Sequence, residues 1–592
     1  MVFVRIMRCL ALLLFAGFVS SLTPPQPLVA RQIPASPNNV KSIISPSGVT
    51  IRYKEPGNEG ICETTPDVRS YSGYIDLSPT SHSFFWFFES RRDPANDQIT
   101  LWLNGGPGSD ALIGLFSGKS TQKQSAELNL MASELGPCNV TKDNRTLLNP
   151  YSWNEVSNLL FISQPVGVGF SYAEQAPGSL QNETGEFLNA SRAPVEGTYP
   201  VTGPDLVDTS DLAAASTWHV LQGFYSALPQ LASNVKSKEF NLWTESYGGH
   251  YGPSFFQYFY EHNRKIASGQ ENGIQLNLNT LGIGNGVIDE LIQTPHYPEF
   301  AVNNTYGIKG INDTEYGFAK FALNRKGGCL DQIRDCRRTN LTSPTERAIC
   351  AQAANMCRDN VEGVYESLSD RGIYDVRENR NNTVPPEYWK KYLNRAEVQD
   401  ALGVAANYSS GSTEIYYAFQ ASGDFVYPSF IKDLEMLLDN GVRVALYYGD
   451  ADYICNWFGG EAVSLAINYT HAPQFRAAGY TPFIVNGTDF GAVRQYGNFS
   501  FLRIYNAGHL VPYYQPLASL EMFRRSIEGL DVATGIRMAG SDFGTKGAPN
   551  STRTEPFVPL PKETGKDGGP PGNWRRGGGG GGAAAAGDRG DY

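Results

Sequence analysis

Past residue 21 the sequence has no apolar run long enough to cross a bilayer, and it is sparing with cysteine (8) and histidine (7) in 592 residues. The first absence excludes a transmembrane anchor in the body of the chain. Basic residues are also in the minority, 48 Lys and Arg against 59 Asp and Glu. The formal charge of −11 argues against nucleic acid and acidic membrane surfaces as partners. Four of the cysteines, Cys329, Cys336, Cys350 and Cys357, fall into two pairs, each spaced by seven residues. Structural zinc wants spacings of two to four, so a metal site ranks well below a disulfide framework. No metal motif, phosphate-binding loop or organic-cofactor signature is present, and no cofactor is expected. What the chain does have is bulk for a core, 41% hydrophobic and 12% aromatic residues.

The N-terminus reads as an address. Arg5 and Arg8 precede an apolar stretch from Cys9 to Val19, and Val19 and Ser21 suit the positions before a signal-peptidase cut. Residues 1–21 are therefore expected to be a signal peptide, with the mature chain starting near Leu22. Thirteen Asn-x-Ser/Thr sequons, at Asn139, Asn144, Asn182, Asn189, Asn303, Asn312, Asn340, Asn381, Asn407, Asn468, Asn486, Asn498 and Asn550, agree with export and N-linked glycans. The expected destination is extracellular, with a vacuole- or lysosome-like compartment as the alternative. Removing Cys9 leaves seven cysteines, so one stays outside any bridge. Spacing of seven puts each cysteine pair on one face of a helix. Nested bridges Cys329–Cys357 and Cys336–Cys350 would staple a helical hairpin, leaving Cys62, Cys138 and Cys455, of which two can pair.

Residues 22–45, rich in Pro and Ser, read as an arm or short propeptide. Apolar and aromatic runs at Tyr71–Leu77, Ser83–Glu89, Gln98–Asn104, Leu159–Ser163, Phe240–Thr244, Leu281–Ile283, Arg443–Tyr448 and Phe501–Tyr505 predict strands. Helical segments such as Asp205–Leu228 and Pro253–His262 alternate with them, which indicates an α/β fold with a mostly parallel sheet. The core is expected in two parts, 46–289 and 386–530. The polar, cysteine-bearing stretch 290–385 between them is read as an inserted helical cap. From 531 to 592 the chain turns to Gly, Pro and charge and is expected to be disordered.

Three segments carry chemistry. Asn241-Leu242-Trp243-Thr244-Glu245-Ser246-Tyr247-Gly248-Gly249 is a strand running into a glycine-rich turn and a helix, the setting of a nucleophile elbow, with Thr244 where the usual motif has glycine. Tyr448-Gly449-Asp450-Ala451-Asp452 and Asn506-Ala507-Gly508-His509 each follow a strand. The order Ser, Asp, His is that of α/β-hydrolases. Asp450 and Asp452 are rival acids that the sequence alone separates poorly, and His250, in the helix after the elbow, is the rival to His509. Ser246 needs a base to take its proton, and the aspartate fixes that base's tautomer. Backbone N–H groups of Tyr247 and of the glycine loop Asn104-Gly105-Gly106-Pro107-Gly108 can serve the oxyanion.

Together Trp102 to Ser109, Glu134-Leu135-Gly136-Pro137, Gln164 to Tyr172, Glu245 to Gly249 and Gly508 to Pro512 resemble, in order and over roughly residues 45–530, the serine carboxypeptidases, the family of carboxypeptidase Y. The resemblance implies an α/β-hydrolase fold and an acid-active enzyme that removes C-terminal residues through an acyl-enzyme. It implies Ser246, Asp452 and His509 as the triad and Gly106 and Tyr247 as oxyanion donors. Asn104, Gly105, Glu134 and Glu245 would bind the substrate's terminal carboxylate, with a proton shared among the carboxyls. It also implies Cys455 as the thiol outside the bridges, which leaves Cys62 to pair with Cys138. Three departures stand out: about sixteen extra residues near Ser117–Ser133, Ser163 where the family usually has Asp, and a long sequon-bearing stretch between Ala173 and Pro204. The competing readings are an esterase or acyltransferase of the same fold, which would lose the carboxylate grip, and a catalytically dead secreted glycoprotein.

Overall fold

Runs of apolar residues become the strands of one twelve-stranded sheet in the computed structural model, which describes residues 37–118, 134–181, 187–203, 206–382 and 385–561. The expected signal peptide, the extra residues 119–133 and the terminal Gly/Ala run lie outside the described residues. In chain order the strands are β1 Lys41–Ile44, β2 Thr50–Lys54, β3 Ser70–Ser78, β4 Ser81–Phe88, β5 Ile99–Leu103, β6 Asn158–Ile162, β7 Glu239–Glu245, β8 Asn277–Gly284, β9 Arg443–Gly449, β10 Thr481–Val485, β11 Thr488–Tyr496 and β12 Phe499–Ile504. Across the sheet they run β1-β2-β3-β4-β6-β5-β7-β8-β9-β12-β11-β10. The block from β6 to β12 is parallel, with antiparallel strands on both sides of it.

The unbroken aromatic run of β4 is explained by burial on both faces. Phe84, Trp86 and Phe88 enter one core with Trp102, Trp153, Trp243 and Phe523. Phe85 and Phe87 enter the other, beneath helices α1, Ser210–Leu231, and α2, Gly248–Ala267. α1 starts at Ser210, later than the sequence suggests, with Thr209 capping it by accepting from Leu212 N–H. On the opposite face, helix Pro516–Ile527 brings Phe523 flat against Trp153, ring centres 4.2 Å apart.

Helices between Glu290 and Leu368 form the cap. α3, Cys329–Cys336, and α4, Pro344–Cys357, are joined by Cys329–Cys357 and Cys336–Cys350, and Cys62 is bridged to Cys138. The helical layer does not stop at 385. Helix Thr413–Ser422 ends at Gly423, where a Cβ would fall 2.6 Å from Cys350 Cβ, so this segment packs on α4, and the sheet resumes only at Arg443.

Two further boundaries are corrected. The arm placed at 22–45 is not separate from the core, because Lys41–Ile44 is the antiparallel edge strand β1. Residues 531–561 are not disordered but run as a strap over the molecule. The strap is poor in apolar residues, which is why composition reads as disorder. Its carbonyls are what matters: Pro549 O accepts from Arg494, Ser551 O and Arg553 O accept from Arg503, and Val558 O accepts from Arg371. Those arginines are 3%, 0% and 8% exposed, and buried charges require acceptors. Residues 174–201, expected as a surface insertion, contain a small antiparallel sheet of Glu174–Leu180, Phe187–Asn189 and Gly197–Val201. Among the sequons, Asn139 and Asn407 are buried, which leaves no room there for a glycan on the folded chain.

Candidate active site

β7 delivers Ser246 in the left-handed region, φ +64°, a strained conformation costing about 1–3 kcal/mol for a residue with a side chain. The turn is held by Ser246 N–H to Gly284 O (3.1 Å) and by Val287 N–H and Gly249 N–H to Ser246 O (3.0 Å each). Glycine is required after it: a Cβ on Gly249 would lie 2.2 Å from Val287 O. A Cβ on Gly248 would lie 2.5 Å from Thr244 Cβ, so Gly248 is also what admits threonine at 244. The Thr244 hydroxyl then donates to Gly248 O at 2.9 Å, bracing the first turn of α2.

His509 follows β12, its N–H held by Tyr374 O at 2.9 Å. Its Nδ1 lies 2.7 Å from Asp452 Oδ2. Ser246 and His509 line one cavity open to solvent. Asp452 is fully buried, and burial raises its carboxyl above the ordinary range against the pull of His509 and its donors. The rival carboxylate does different work. Asp450 accepts from Tyr306 O–H (2.6 Å), Asn506 N–H (3.0 Å) and Arg503 (3.3 Å) in the floor of the cap. His250, the rival base, is buried against the Tyr247 and Phe430 rings, with Nδ1 3.9 Å from Asp424.

Sequence reasoning missed Asn285, which follows β8. Its Nδ2 donates to Asp452 Oδ2 at 2.7 Å while its Oδ1 accepts from Gly449 N–H at 3.0 Å. Ile454 N–H reaches Asp452 Oδ1 at 3.1 Å. The available signal was an Asn between two glycines at a strand end, at φ +39°.

The same cavity is lined by Asn104, Gly105, Glu245, Ile113, Tyr374 and Leu510. Asn104 Oδ1 accepts from Trp102 Nε1 (2.8 Å) and Gly114 N–H (2.9 Å), which turns its amide nitrogen toward Glu245 Oε1 at 3.3 Å. A Cβ on Gly105 would meet Tyr247 N at 2.2 Å, so the glycine loop lies directly against the elbow at Gly105. Glu134 and Glu245 are buried and interact with each other. Burial pushes Glu134 up to about 7. Burial and then the charge of Glu134 hold Glu245 well above the usual carboxyl range. Near neutrality and below, the pair keeps a proton.

Cys455 is buried and not disulfide-bonded. Among the described residues, Asp452, Cys455 and His509 form the one group of side chains close enough to share a cation, their ligand atoms lying within 4.8 Å of one another. Two of these already bond each other.

Residues 56–529 match the family described as serine carboxypeptidase. The chain is 41% identical to "Carboxypeptidase S1 homolog A" of Arthroderma otae, over 86% of this chain and 81% of that one. It is 37% identical to "Carboxypeptidase Y homolog" of Arthroderma benhamiae (91% and 88% covered) and 36% identical to "Carboxypeptidase S1" of Penicillium janthinellum (80% and 98%). A solved structure of Kex1Δp, a prohormone-processing carboxypeptidase from Saccharomyces cerevisiae, superposes with a TM-score of 0.57 at 20% identity, covering 79% of this chain and 93% of that one. That likeness shows the fold: it is the α/β-hydrolase architecture, with the cap set between sheet strands.

Proposed function

The chain belongs to the serine carboxypeptidase family, and from that premise we propose that Ser246, His509 and Asp452 are its triad and that Asn104, Gly105, Glu134 and Glu245 read the substrate's free carboxylate. The observation that carries this is one cavity wall holding Ser246 and His509 beside Asn104 and Glu245.

The substrate's last residue enters with its carboxylate between the Asn104 amide and the protonated Glu245–Glu134 pair. Ser246 Oγ attacks the last peptide carbonyl as His509 Nε2 takes its proton, and Asp452 stabilises the imidazolium. Gly106 and Tyr247 N–H groups receive the oxyanion. His509 then protonates the leaving amine, freeing one amino acid. Water attacks the acyl-enzyme by the same route. A peptide extended beyond this point would place an uncharged amide against two buried carboxyls, which explains action at C-termini only. Three disulfides and the exposed sequons support export to an oxidising compartment, extracellular or vacuolar, with glycans at exposed sites. No helix among the described residues is long and apolar enough to cross a membrane.

Ser246→Ala is expected to lower release of C-terminal residues by several orders of magnitude, because the triad acts as one unit. An organophosphate such as diisopropyl fluorophosphate should label Ser246 in the wild type. Labelling at another residue, or activity surviving in the variant, would contradict the assignment.

A further inference from the structure

Ser163 and Asp110 meet at one buried point beside Gly169, behind the glycine loop. Asp110, four residues past Gly106, is fully buried. Its Oδ2 accepts from Tyr408 O–H at 2.7 Å. Gly169, at φ +61°, lies between Asp110 and Ser163: a Cβ there would fall 2.3 Å from Ser163 Oγ and 2.6 Å from Asp110 Cγ. Asp110 Oδ1 flanks the same point, 2.7 Å from that Cβ position. A second carboxyl at 163 would crowd two acids into one buried site and oblige them to keep a proton between them, which would disturb the site.

The main chain ties this point to the oxyanion loop. Asp110 N–H donates to Ser410 O (3.0 Å), Ser412 N–H to Gly108 O (2.9 Å) and Ser109 N–H to Gly105 O (3.1 Å). Bridges Ser109–Gly411 and Gly169–Ser409 set the 409–411 segment between the two loops. Asp110 thus fastens, through Tyr408, the segment that clamps residues 105–109.

We propose that Asp110 is a positioning residue for the Gly106 N–H. This rests on the reading of Gly106 as an oxyanion donor. A displaced donor is felt in the transition state more than in substrate binding, so the effect belongs in kcat.

The test compares wild type, Asp110→Ser, Ser163→Asp and the double variant on one free-carboxyl peptide, with melting temperatures recorded. Asp110→Ser should lower kcat about tenfold or more while KM stays within about twofold. Ser163→Asp alone should also be slower. The double variant, which restores one carboxyl to the site, should return to within about threefold of wild type. Wild-type kcat in Asp110→Ser, or a double variant no faster than the slower single one, overturns the proposal. So does a double variant that regains the melting temperature but not kcat, which would assign Asp110 to packing. Should Asp110→Ser fail to fold, Tyr408→Phe removes one donor to the same carboxyl, and unchanged kcat there overturns the proposal equally. Ser246→Ala run alongside separates the two readings: activity surviving in it would sink the triad assignment, whatever the exchange does.

Discussion

Asn285 shows what a single side chain adds to a triad already named. Its amide lowers the basicity of Asp452 by donating to Oδ2, the oxygen that also faces His509. Asn285→Ala should leave that carboxylate more basic and His509 harder to deprotonate. The acidic limb of kcat/KM for an ester substrate should then move up by on the order of half to one pH unit. The rate should fall about tenfold to a hundredfold as the aspartate loosens. A pH–rate profile reads both, and a lower rate with an unmoved limb would mean that Asn285 only packs. At this scale much was legible. Ser246 and His509 stood in strand-end settings that few alternatives shared. Asp450 and Asp452 looked alike because both follow β9 within three residues. The resemblance favours Asp452, and the three-dimensional partners, Arg503 and Tyr306 for Asp450 and His509 for Asp452, give the physical difference.

Elements were legible in proportion to how much of their burial was apolar. The aromatic strand β4 and the elbow strand β7 announce themselves, since each is buried on both faces. β10 and β11 carry Asp489, Arg494 and Gln495 and were not picked out. Part of that polarity is met by the strap: Gln495 N–H and O both meet Thr545, and Arg494 Nη2 reaches Pro549 O. The strap itself escaped detection for the same reason, because its contribution is hydrogen-bond acceptance and not apolar area. Ending the chain after Met538 should strip acceptors from Arg494 and Arg503 and lower the melting temperature by roughly 2–6 °C. A calorimetric scan identical to that of the full chain would show the strap to be a passive covering.

The whole molecule carries an unusual load of buried acid. Burial raises Glu134 to about 7 and Asp110 to about 6, and it raises Glu245, Glu89 and Asp450 above their ordinary values. Each such group binds its proton more tightly folded than unfolded. Each therefore contributes stability below its unfolded pKa, near 4 to 4.5, and that stability is lost as pH rises toward the folded value. Asp76, held down by Arg52 and His82 against burial, and Asp531, held down by backbone N–H groups against burial, act in the opposite sense and lose stability below about 4. The net charge of −11 at pH 7 adds self-repulsion on the neutral side. Thermal melts across pH 3.5 to 8 should peak on the acidic side, near 4 to 5, and decline toward 7. Glu134→Gln should flatten part of that decline, and a maximum at neutral pH would contradict the account.

The central claim is that a shared proton on Glu134 and Glu245 lets this site grip a free carboxylate. The direct test is KM against pH for one peptide and its C-terminal amide, in wild type and in Glu245→Gln. In the wild type, KM for the free-carboxyl peptide should climb as rising pH strips the protons that burial holds on the Glu134–Glu245 pair above the ordinary carboxyl range, while the amide shows no such rise. In Glu245→Gln, whose amide donates at any pH, the climb should flatten. Parallel pH profiles for peptide and amide in the wild type would contradict the carboxylate site and leave a triad without its exopeptidase grip.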